Sequence, residues 1–143
     1  MAVRKANATW EGGLKDGKGN VRSESGAIST GYSFSSRFED GKGTNPEELL
    51  GAAHAACFSM ALSVALEQAG HRPNSVHTIA NVKIEKDGEG FTITNITLET
   101  EADVPQISED DFKKHAEGAK KNCPLSKALA SVEIDMIARL KKT

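Results

Sequence analysis

Residues 45–58 read Asn-Pro-Glu-Glu-Leu-Leu-Gly-Ala-Ala-His-Ala-Ala-Cys-Phe, and the prediction of the fold rests on this stretch. Asn45 is a favoured helix N-cap, Pro46 suits the first helical position, and Glu48 completes a capping-box pattern. Gly70 indicates that the helix ends just before it. At 1.5 Å per residue, such a helix would be about 36 Å long. The sequence therefore predicts one unusually long helix in a short chain.

The predicted helix carries apolar or small residues around its whole circumference between Leu49 and Leu66, where only His54, Ser59 and Ser63 interrupt them. Such a helix is either buried in a core or crosses a bilayer. Alanine is only weakly apolar, and amphipathic segments flank the helix on both sides. We therefore interpret it as the buried central helix of a soluble protein and expect no membrane association.

Length and charge narrow the class of protein. The chain has 143 residues, which fits one domain with its own core or one half of an intertwined dimer. The formal net charge is −2, and the basic residues are scattered, so no basic stripe for nucleic acid is expected. The N-terminal sequence lacks the apolar segment of a signal peptide, so we expect a cytoplasmic protein. Two cysteines in that compartment are not a disulfide framework, and both are compatible with inert buried thiols.

The rest of the chain shows the alternation and turn residues of short strands, with Arg37 in a loop ahead of the long helix. The other predicted elements are strands and turns over residues 5–36, strands over 76–84 and 91–98 with a bulge near Asn95, a helix capped by Ser108, a short helical turn after Pro124 and a strand over 132–140. This order predicts an α+β fold with a mostly antiparallel sheet wrapped around the central helix. We expect a single domain over residues 1–143.

Cys57 lies in the middle of the long helix among apolar residues. Burial there should raise the pKa of the thiol and make it unreactive unless a cation reaches it. His54 lies three residues earlier on the same face, which leaves a Cys–His pair open. A packed core histidine is the simpler interpretation, because no carboxylate is placed to orient the ring. His54 and Cys57 are only two ligands, too few for a zinc site, and the other histidines are not spaced in the sequence like zinc ligands.

Cys123 precedes Pro124 at a predicted helix start, where backbone N–H groups can stabilise a thiolate. Local electrostatics alone therefore predict Cys123 to be the more reactive thiol, although its position on an apolar stripe also predicts that it faces the core. Arg37 and Glu47 have ordinary explanations, as a solvated charge and as a first-turn carboxylate favoured by the helix dipole.

The sequence resembles the OsmC/Ohr family of thiol peroxidases along nearly its whole length. The resemblance is carried by Gly43-Thr44-Asn45-Pro46-Glu47-Glu48-Leu49, by Ala55-Ala56-Cys57-Phe58 and by Asn122-Cys123-Pro124. Arg37-Phe38-Glu39, just upstream, is similar to the OsmC branch rather than the Ohr branch. The resemblance implies an obligate homodimer in which two sheets wrap a pair of central helices.

The resemblance also implies a chemistry, namely reduction of organic hydroperoxides and, less well, of hydrogen peroxide. Cys57 then matches the peroxidatic cysteine and Cys123 the resolving cysteine, which reverses the order given by local electrostatics. Arg37 and Glu47 match the family's pair that activates the thiolate. Electrons would come from an external dithiol, such as a dihydrolipoyl group on a lipoylated protein. No metal, haem or flavin is expected.

Helix geometry adds an expectation about the subunits. Glu47 and Cys57 are ten residues apart, hence about 15 Å along one helix axis and about 80° around it, so an intact helix cannot bring them together. They can meet if two copies cross antiparallel about a two-fold axis near Ala52, where residues 51–53 are small. We therefore expect composite sites, with Cys57 and Cys123 from one subunit and Glu47, with Arg37, from its partner.

Two other classes of function remain open from the sequence. The same cysteines would serve a thiol redox sensor or a thiol–disulfide exchange protein without peroxide turnover, and a binding or structural dimer would leave both thiols idle. If the chain is a peroxidase, apolar walls should favour alkyl peroxides over small polar ones, and the candidates for those walls are Phe58, Met60 and Leu62.

Overall fold

The computed structural model describes residues 2–142, and their strands and helices form a mixed α+β fold, as predicted. The elements are β1 (Ala6–Glu11), β2 (Lys18–Ser23), β3 (Ser29–Tyr32), α1 (Phe34–Phe38), α2 (Pro46–Gln68), β4 (Ser75–Asp87), β5 (Gly90–Asp103), α3 (Glu109–Asn122), α4 (Pro124–Ala128) and β6 (Glu133–Leu140). The chain divides into two compact units, the first ending at Leu49 and the second beginning at Leu50. The single domain over residues 1–143 stays a prediction.

The first unit contains an antiparallel sheet in the order β1-β2-β3. Gly19 of β2 pairs with Trp10 on one side and with Tyr32 on the other. The two aromatic rings meet across it with centroids 5.4 Å apart. A Cβ on Gly19 would lie 2.4 Å from the Tyr32 ring and 2.7 Å from the Trp10 ring. Glycine is therefore required at this position for the rings to pack.

Arg37 lies in α1 rather than in the predicted loop, and Phe34 begins that helix instead of continuing a strand. Ser33 is the N-cap and forms a capping box with Ser36, in which each side chain accepts from the backbone N–H of the other. Two serines three residues apart supply the start signal. The strand predicted from the sequence extends through this start signal because the aromatic residues Tyr32 and Phe34 alternate as in a strand.

The predicted start of α2 is confirmed. The Asn45 side-chain oxygen accepts from the Glu48 backbone N–H at 2.7 Å, and Pro46 is the first helical residue. The Glu48 carboxylate does not close the capping box. It accepts from the Thr44 hydroxyl at 2.7 Å instead, so it ties the residue before the cap to the first turn.

The other end of α2, in the second unit, is a Schellman motif. Gly70 has φ 86°, the His71 N–H donates to the Leu66 carbonyl at 2.8 Å, and the Gly70 N–H donates to the Glu67 carbonyl at 3.0 Å. Only glycine adopts that φ at little cost. The helix ends at Gln68, one residue before the predicted end.

The second unit holds a sheet in the order β4-β5-β6, in which β4 and β5 are antiparallel and β5 and β6 are parallel. The described strands thus form two three-stranded sheets rather than one, and the second sheet is mixed. The parallel pair follows from the connection through α3 and α4, since parallel neighbours need a long crossover. The register shifts so that Lys83 pairs with Asn95 and Ile84 with Ile93, which confirms the bulge predicted near Asn95.

The core of the second unit is formed by one face of α2 against β5 and α3. Its fully buried side chains include Phe58, Leu62, Leu66, Ile96, Leu98, Phe112 and Cys123. A second face of α2 is not buried within the single chain. This exposed α2 stripe consists of Ala52, Ala53, Ala56, Met60 and Val64. By length and apolar composition α2 could also cross a bilayer, a property that core helices of soluble proteins share.

Of the three small residues predicted to allow a close helix crossing, residues 51–53, Gly51 does not lie on the exposed face of α2. Its α-carbon lies against β4, where an added Cβ would meet the Val82 side chain at 3.3 Å and the Ala80 carbonyl oxygen at 3.4 Å. Ala52 and Ala53 are exposed, as the expectation requires. The missing side chain of Gly51 therefore serves close packing of α2 on its own sheet.

Candidate active site

The two cysteines lie in contact in the second unit. Cys57, in the middle of α2, is partly exposed, and Cys123, at the N-cap of α4, is fully buried. Both are free thiols, and the Cys123 thiol donates to the Cys57 sulfur at 2.9 Å. A disulfide bond is about 2.05 Å long, so a small approach of the two sulfurs would suffice to form one. The arrangement gives one accessible thiol and a second thiol directly behind it.

The first turn of α4 directs a backbone N–H to Cys57. The Leu125 N–H hydrogen-bonds the Cys57 sulfur, whereas Cys123 makes no side-chain cap for its own helix. The sequence correctly indicated a helix start next to a thiol but assigned its effect to the wrong sulfur. Pro124, the first residue of α4, has no N–H, so Leu125 carries the first N–H of the helix, and Cys57 is the sulfur that it bonds.

The pKa of the Cys57 thiol is raised above its ordinary value. Burial is the largest cause, and the neighbouring Cys123 sulfur raises the pKa further, while the Leu125 N–H opposes both by stabilising the thiolate. This direction agrees with the prediction for a thiol in the middle of an apolar helix. Within the second unit, the causes that raise the pKa of Cys57 therefore outweigh the single backbone N–H that lowers it.

A pocket of about 640 Å³ opens beside Cys57 between α2 and α3. Its lining is mostly apolar or small, with one cationic group at Lys114, and includes Met60, Ala61, Val64, Ala65, Gly118, Ala119 and Pro124. Of the three wall residues predicted from the sequence, Met60 lines the pocket. Phe58 and Leu62 are fully buried in the core instead, because they lie on the opposite face of α2.

His54 is a packed core histidine and does not form a Cys–His pair. The ring is fully buried, and its Nε2 lies 2.9 Å from the Ser126 hydroxyl. Its Nδ1 has no hydrogen-bond partner among the described residues. Burial lowers the pKa of His54, so the ring is neutral at physiological pH. Within residues 2–142 no three His, Cys, Asp or Glu side chains cluster as metal ligands.

Arg37 and Glu47 form a two-pronged ion pair in the first unit. Arg37 Nε donates to Glu47 Oε1 and Arg37 Nη2 donates to Glu47 Oε2, both at 2.9 Å. Glu47 is only 8% exposed, and the Arg37 side chain is 35% exposed. The ordinary explanations of a solvated arginine and a simple first-turn carboxylate therefore do not hold. The pair occupies two of the five guanidinium N–H donors and leaves the others for a further anion.

The two segments that carry the ion pair are hydrogen-bonded to each other. Ser36 of α1 donates to the Thr44 carbonyl at 2.7 Å, and the Asn45 side chain donates to the Ser36 carbonyl at 3.0 Å. These bonds tie α1 to the start of α2, the two segments that carry Arg37 and Glu47. A smaller pocket of about 230 Å³ beside Arg37 is lined mainly by aromatic rings, those of Trp10, Tyr32, Phe34 and Phe38.

The four residues predicted for the site thus form two pairs, Cys57 with Cys123 in the second unit and Arg37 with Glu47 in the first. Two groups near the sulfurs were missed from the sequence. Leu125 contributes through its backbone, which side-chain patterns do not reveal, although Pro124 marked the helix start. Ser126 carried no signal in the sequence.

The sequence matches the family described as OsmC-like protein over residues 39–137. It is 50% identical over 134 residues to Peroxiredoxin OsmC of Escherichia coli (strain K12), covering 92% of this chain and 94% of that protein. It is 30% identical over 139 residues to Organic hydroperoxide resistance protein-like 1 of Staphylococcus saprophyticus, covering 95% and 96%. The crystal structure of the organic hydroperoxide resistance protein OhrB of Bacillus subtilis superposes with a TM-score of 0.71 at 26% identity, covering 96% and 98%.

Proposed function

The chain belongs to the OsmC-like protein family and is a thiol-dependent peroxidase, and on this basis we propose how it reduces its substrate. Cys57 is the peroxidatic cysteine, Cys123 the resolving cysteine, and organic hydroperoxides are the preferred substrates. The observation that carries this proposal is the contact at 2.9 Å between a partly exposed thiol and a fully buried one. A sulfenic acid formed at Cys57 would meet its resolving thiol without unfolding of the helix.

The proposed reaction has three steps. The Cys57 thiolate attacks the distal oxygen of the hydroperoxide, the O–O bond breaks, and the alkoxide takes a proton and leaves as the alcohol. Cys123 then attacks the sulfur of the Cys57 sulfenic acid, which forms the disulfide and releases water. An external dithiol reduces the disulfide by exchange and is itself oxidised to a disulfide. None of these steps calls for a metal, haem or flavin.

A cation at the sulfur would favour ionisation of Cys57, whose pKa is raised within its own unit, and Arg37 is our candidate for that cation. The carboxylate of Glu47 holds the guanidinium in one orientation, and a guanidinium cannot lose its proton at physiological pH. Its remaining donors can bind both a thiolate and a peroxide oxygen. We infer that the Arg37–Glu47 pair lowers the pKa of a Cys57 thiol and orients the substrate.

The pair that serves each Cys57 belongs to the partner subunit in this proposal. Glu47 and Cys57 lie ten positions apart on α2, so their side chains leave the helix at separate points along its axis. Two copies of α2 that cross antiparallel near Ala52 would place Glu47 of the partner subunit opposite Cys57. The exposed α2 stripe supports a homodimer, because it offers small residues for a close helix crossing and large apolar ones, Met60 and Val64, that water would otherwise cover.

The preference for organic hydroperoxides is supported by the pocket at Cys57. Its apolar lining would bind the organic group of the substrate while the peroxide oxygen lies near the sulfur, whereas hydrogen peroxide gains nothing from those walls. The natural reductant that we propose is a dithiol of the dihydrolipoyl type, and the proposed location is the cytoplasm, where reduced dithiols are available.

Turnover assays test the proposal directly. Purified protein is given cumene hydroperoxide or hydrogen peroxide, with dihydrolipoamide or thioredoxin as the reductant, and peroxide loss is followed. We expect many turnovers with dihydrolipoamide and a higher kcat/KM for cumene hydroperoxide. One equivalent of peroxide consumed and no more, with the dithiol in excess, would instead indicate a redox sensor. No loss of two hydrogens by mass spectrometry after peroxide treatment would indicate idle thiols.

A further inference from the structure

A buried polar contact joins α2 to α4 and has no part in the steps above. His54 Nε2 and the Ser126 hydroxyl oxygen lie 2.9 Å apart, with His54 fully buried and Ser126 only 6% exposed. Whichever ring nitrogen carries the proton, Nδ1 lacks a hydrogen-bond partner among the described residues. Two apolar side chains would fill this space without leaving a buried polar atom that lacks a hydrogen bond. The contact is costly to bury, so it calls for a reason other than packing.

Its position supplies that reason. His54 lies one helical turn before Cys57 on α2, and Ser126 directly follows Leu125, whose N–H hydrogen-bonds the Cys57 sulfur. Cys123, the other thiol, is the N-cap of the same short helix. One hydrogen bond therefore connects the two segments that carry both sulfurs and the backbone donor between them. A directional bond fixes the distance and rotation between two segments, which apolar contact alone does not.

We propose that His54 is a positioning residue for the peroxidatic thiol, which it sets in place by holding Ser126 and with it the first turn of α4. Held in this way, the Leu125 N–H stays on the Cys57 sulfur and the Cys123 thiol stays within reach of it. The inference rests on the proposed function, in which Cys57 reacts first and Cys123 resolves. His54 contributes no charge in this role, because the buried ring is neutral.

Two measurements report the position of α4 without any peroxidase activity. The first is the pH dependence of Cys57 alkylation in a Cys123→Ser background, which gives the thiolate fraction of Cys57 alone. The second is the rate at which the dithiol protein forms its disulfide with diamide, which takes up two hydrogens from the thiols and becomes the hydrazine. Both tests therefore keep their meaning if peroxide turnover proves absent, and the failures of the two proposals stay distinguishable.

The variants differ in whether they remove or keep the hydrogen bond between residues 54 and 126. His54→Leu and Ser126→Ala each remove the hydrogen bond, while His54→Gln keeps an N–H donor near the place of Nε2. Ser59→Ala is the matched control, because Ser59 lies on the same helix and donates to the Thr78 hydroxyl at 2.7 Å, away from α4. Lys114 and His115, which line the pocket at Cys57, are unchanged throughout.

We expect His54→Leu and Ser126→Ala to lower the Cys57 thiolate fraction at neutral pH by about three- to tenfold, since the backbone hydrogen bond to a charged sulfur is weakened. Both should slow disulfide formation by diamide, and their combination should add little, because they break one bond. His54→Gln should restore most of the wild-type behaviour. Ser59→Ala should match wild type in both assays.

Two results would overturn the proposal. One is a Cys57 titration and a diamide rate in Ser126→Ala that equal those of Ser59→Ala. The other is a His54→Gln variant as impaired as His54→Leu although both fold, which would show that shape rather than the hydrogen bond matters. If His54→Leu does not fold, Ser126→Ala reports the same bond by a smaller change.

Discussion

Cys57 Sγ and Cys123 Sγ lie 2.9 Å apart although the two residues are 66 positions apart in the chain. The contact joins the middle of α2 to the residue at which α3 ends and α4 begins. One sulfur is partly exposed beside a pocket, and the other is fully buried behind it. In the proposed mechanism the partly exposed thiol therefore reacts with the peroxide and the buried thiol resolves the product.

Removing the Cys57 thiol and removing the Cys123 thiol should have different effects on peroxide reduction. Cys57→Ser should abolish peroxide reduction, because the buried Cys123 has no access to substrate. Cys123→Ser should react once and keep a sulfenic acid at Cys57, since no thiol is left to displace water from it. Trapping with dimedone followed by mass spectrometry detects that sulfenic acid. Oxidation of Cys123 at an undiminished rate in the Cys57→Ser protein would reverse the assignment.

Oxidation should bridge Cys57 and Cys123 within one subunit. The sulfurs are already in contact, so no rearrangement between chains is needed for the disulfide. Non-reducing electrophoresis after one equivalent of cumene hydroperoxide should show a monomer of altered mobility. Cys123→Ser serves as the control, because it cannot form this bridge. A covalent dimer as the main oxidised product of the unchanged protein would contradict the prediction.

The pH dependence of Cys57 should reveal the proposed cation. Burial raises the pKa of this thiol, so without Arg37 the thiolate fraction at neutral pH should fall and the alkylation rate should rise only at more alkaline pH. Arg37→Gln should therefore shift the alkylation profile to higher pH and reduce kcat/KM at neutral pH by about tenfold or more. The matched control is Arg22→Gln, which removes an exposed arginine from the first unit. Superposed profiles for the two variants would exclude Arg37 as the activating cation.

The shape of the pocket at Cys57 should set substrate preference. Ala65 lines this pocket, and Ala65→Phe should fill part of it. We expect kcat/KM for cumene hydroperoxide to fall about tenfold while that for hydrogen peroxide changes little, because only the larger substrate needs the space. Ala69→Phe places the same ring on an exposed residue beyond the end of α2 and is the control. Equal losses for both peroxides in Ala65→Phe would mean that the pocket does not bind the organic group.

The sequence predicted the parts of this protein that local rules govern. Asn45 and Pro46 mark the start of α2, Gly70 marks its end, and the change of alternation along β5 revealed the bulge. What escaped prediction depends on contacts between distant segments. Nothing near Leu125 indicates that its N–H meets Cys57, and Gly51 faces its own sheet only because β4 passes beside α2.

Arg37 and Glu47 also show the difference between what local sequence rules predict and what depends on contacts between distant segments. Their types and positions were visible in the sequence, and the resemblance singled them out, but each alone had an ordinary explanation. The ion pair becomes evident only when α1 folds against the start of α2 through Ser36 and Asn45. Helix geometry predicts that the pair acts on Cys57 of the partner subunit, and this prediction needs an experiment on two subunits.

Mixed dimers provide that experiment. Subunits carrying Cys57→Ser and subunits carrying Glu47→Ala are given different affinity tags and mixed under conditions that allow exchange, and the heterodimer is purified through both tags. Each parent homodimer is inactive or strongly impaired in the proposed mechanism. Any substantial activity of the heterodimer must therefore come from a site that combines intact residues of both chains.

The two arrangements predict different results. If Cys57 works with Glu47 of the partner subunit, one site of the heterodimer contains both lesions and the other contains none, so the activity should be about half that of wild type. If each site is built from a single chain, both sites carry one lesion and the heterodimer should be nearly inactive. A heterodimer of wild-type and Cys57→Ser subunits, which retains one intact site in either arrangement, sets the level for half activity. The α2 geometry favours the first result, because ten helical positions separate Glu47 from the Cys57 of its own chain.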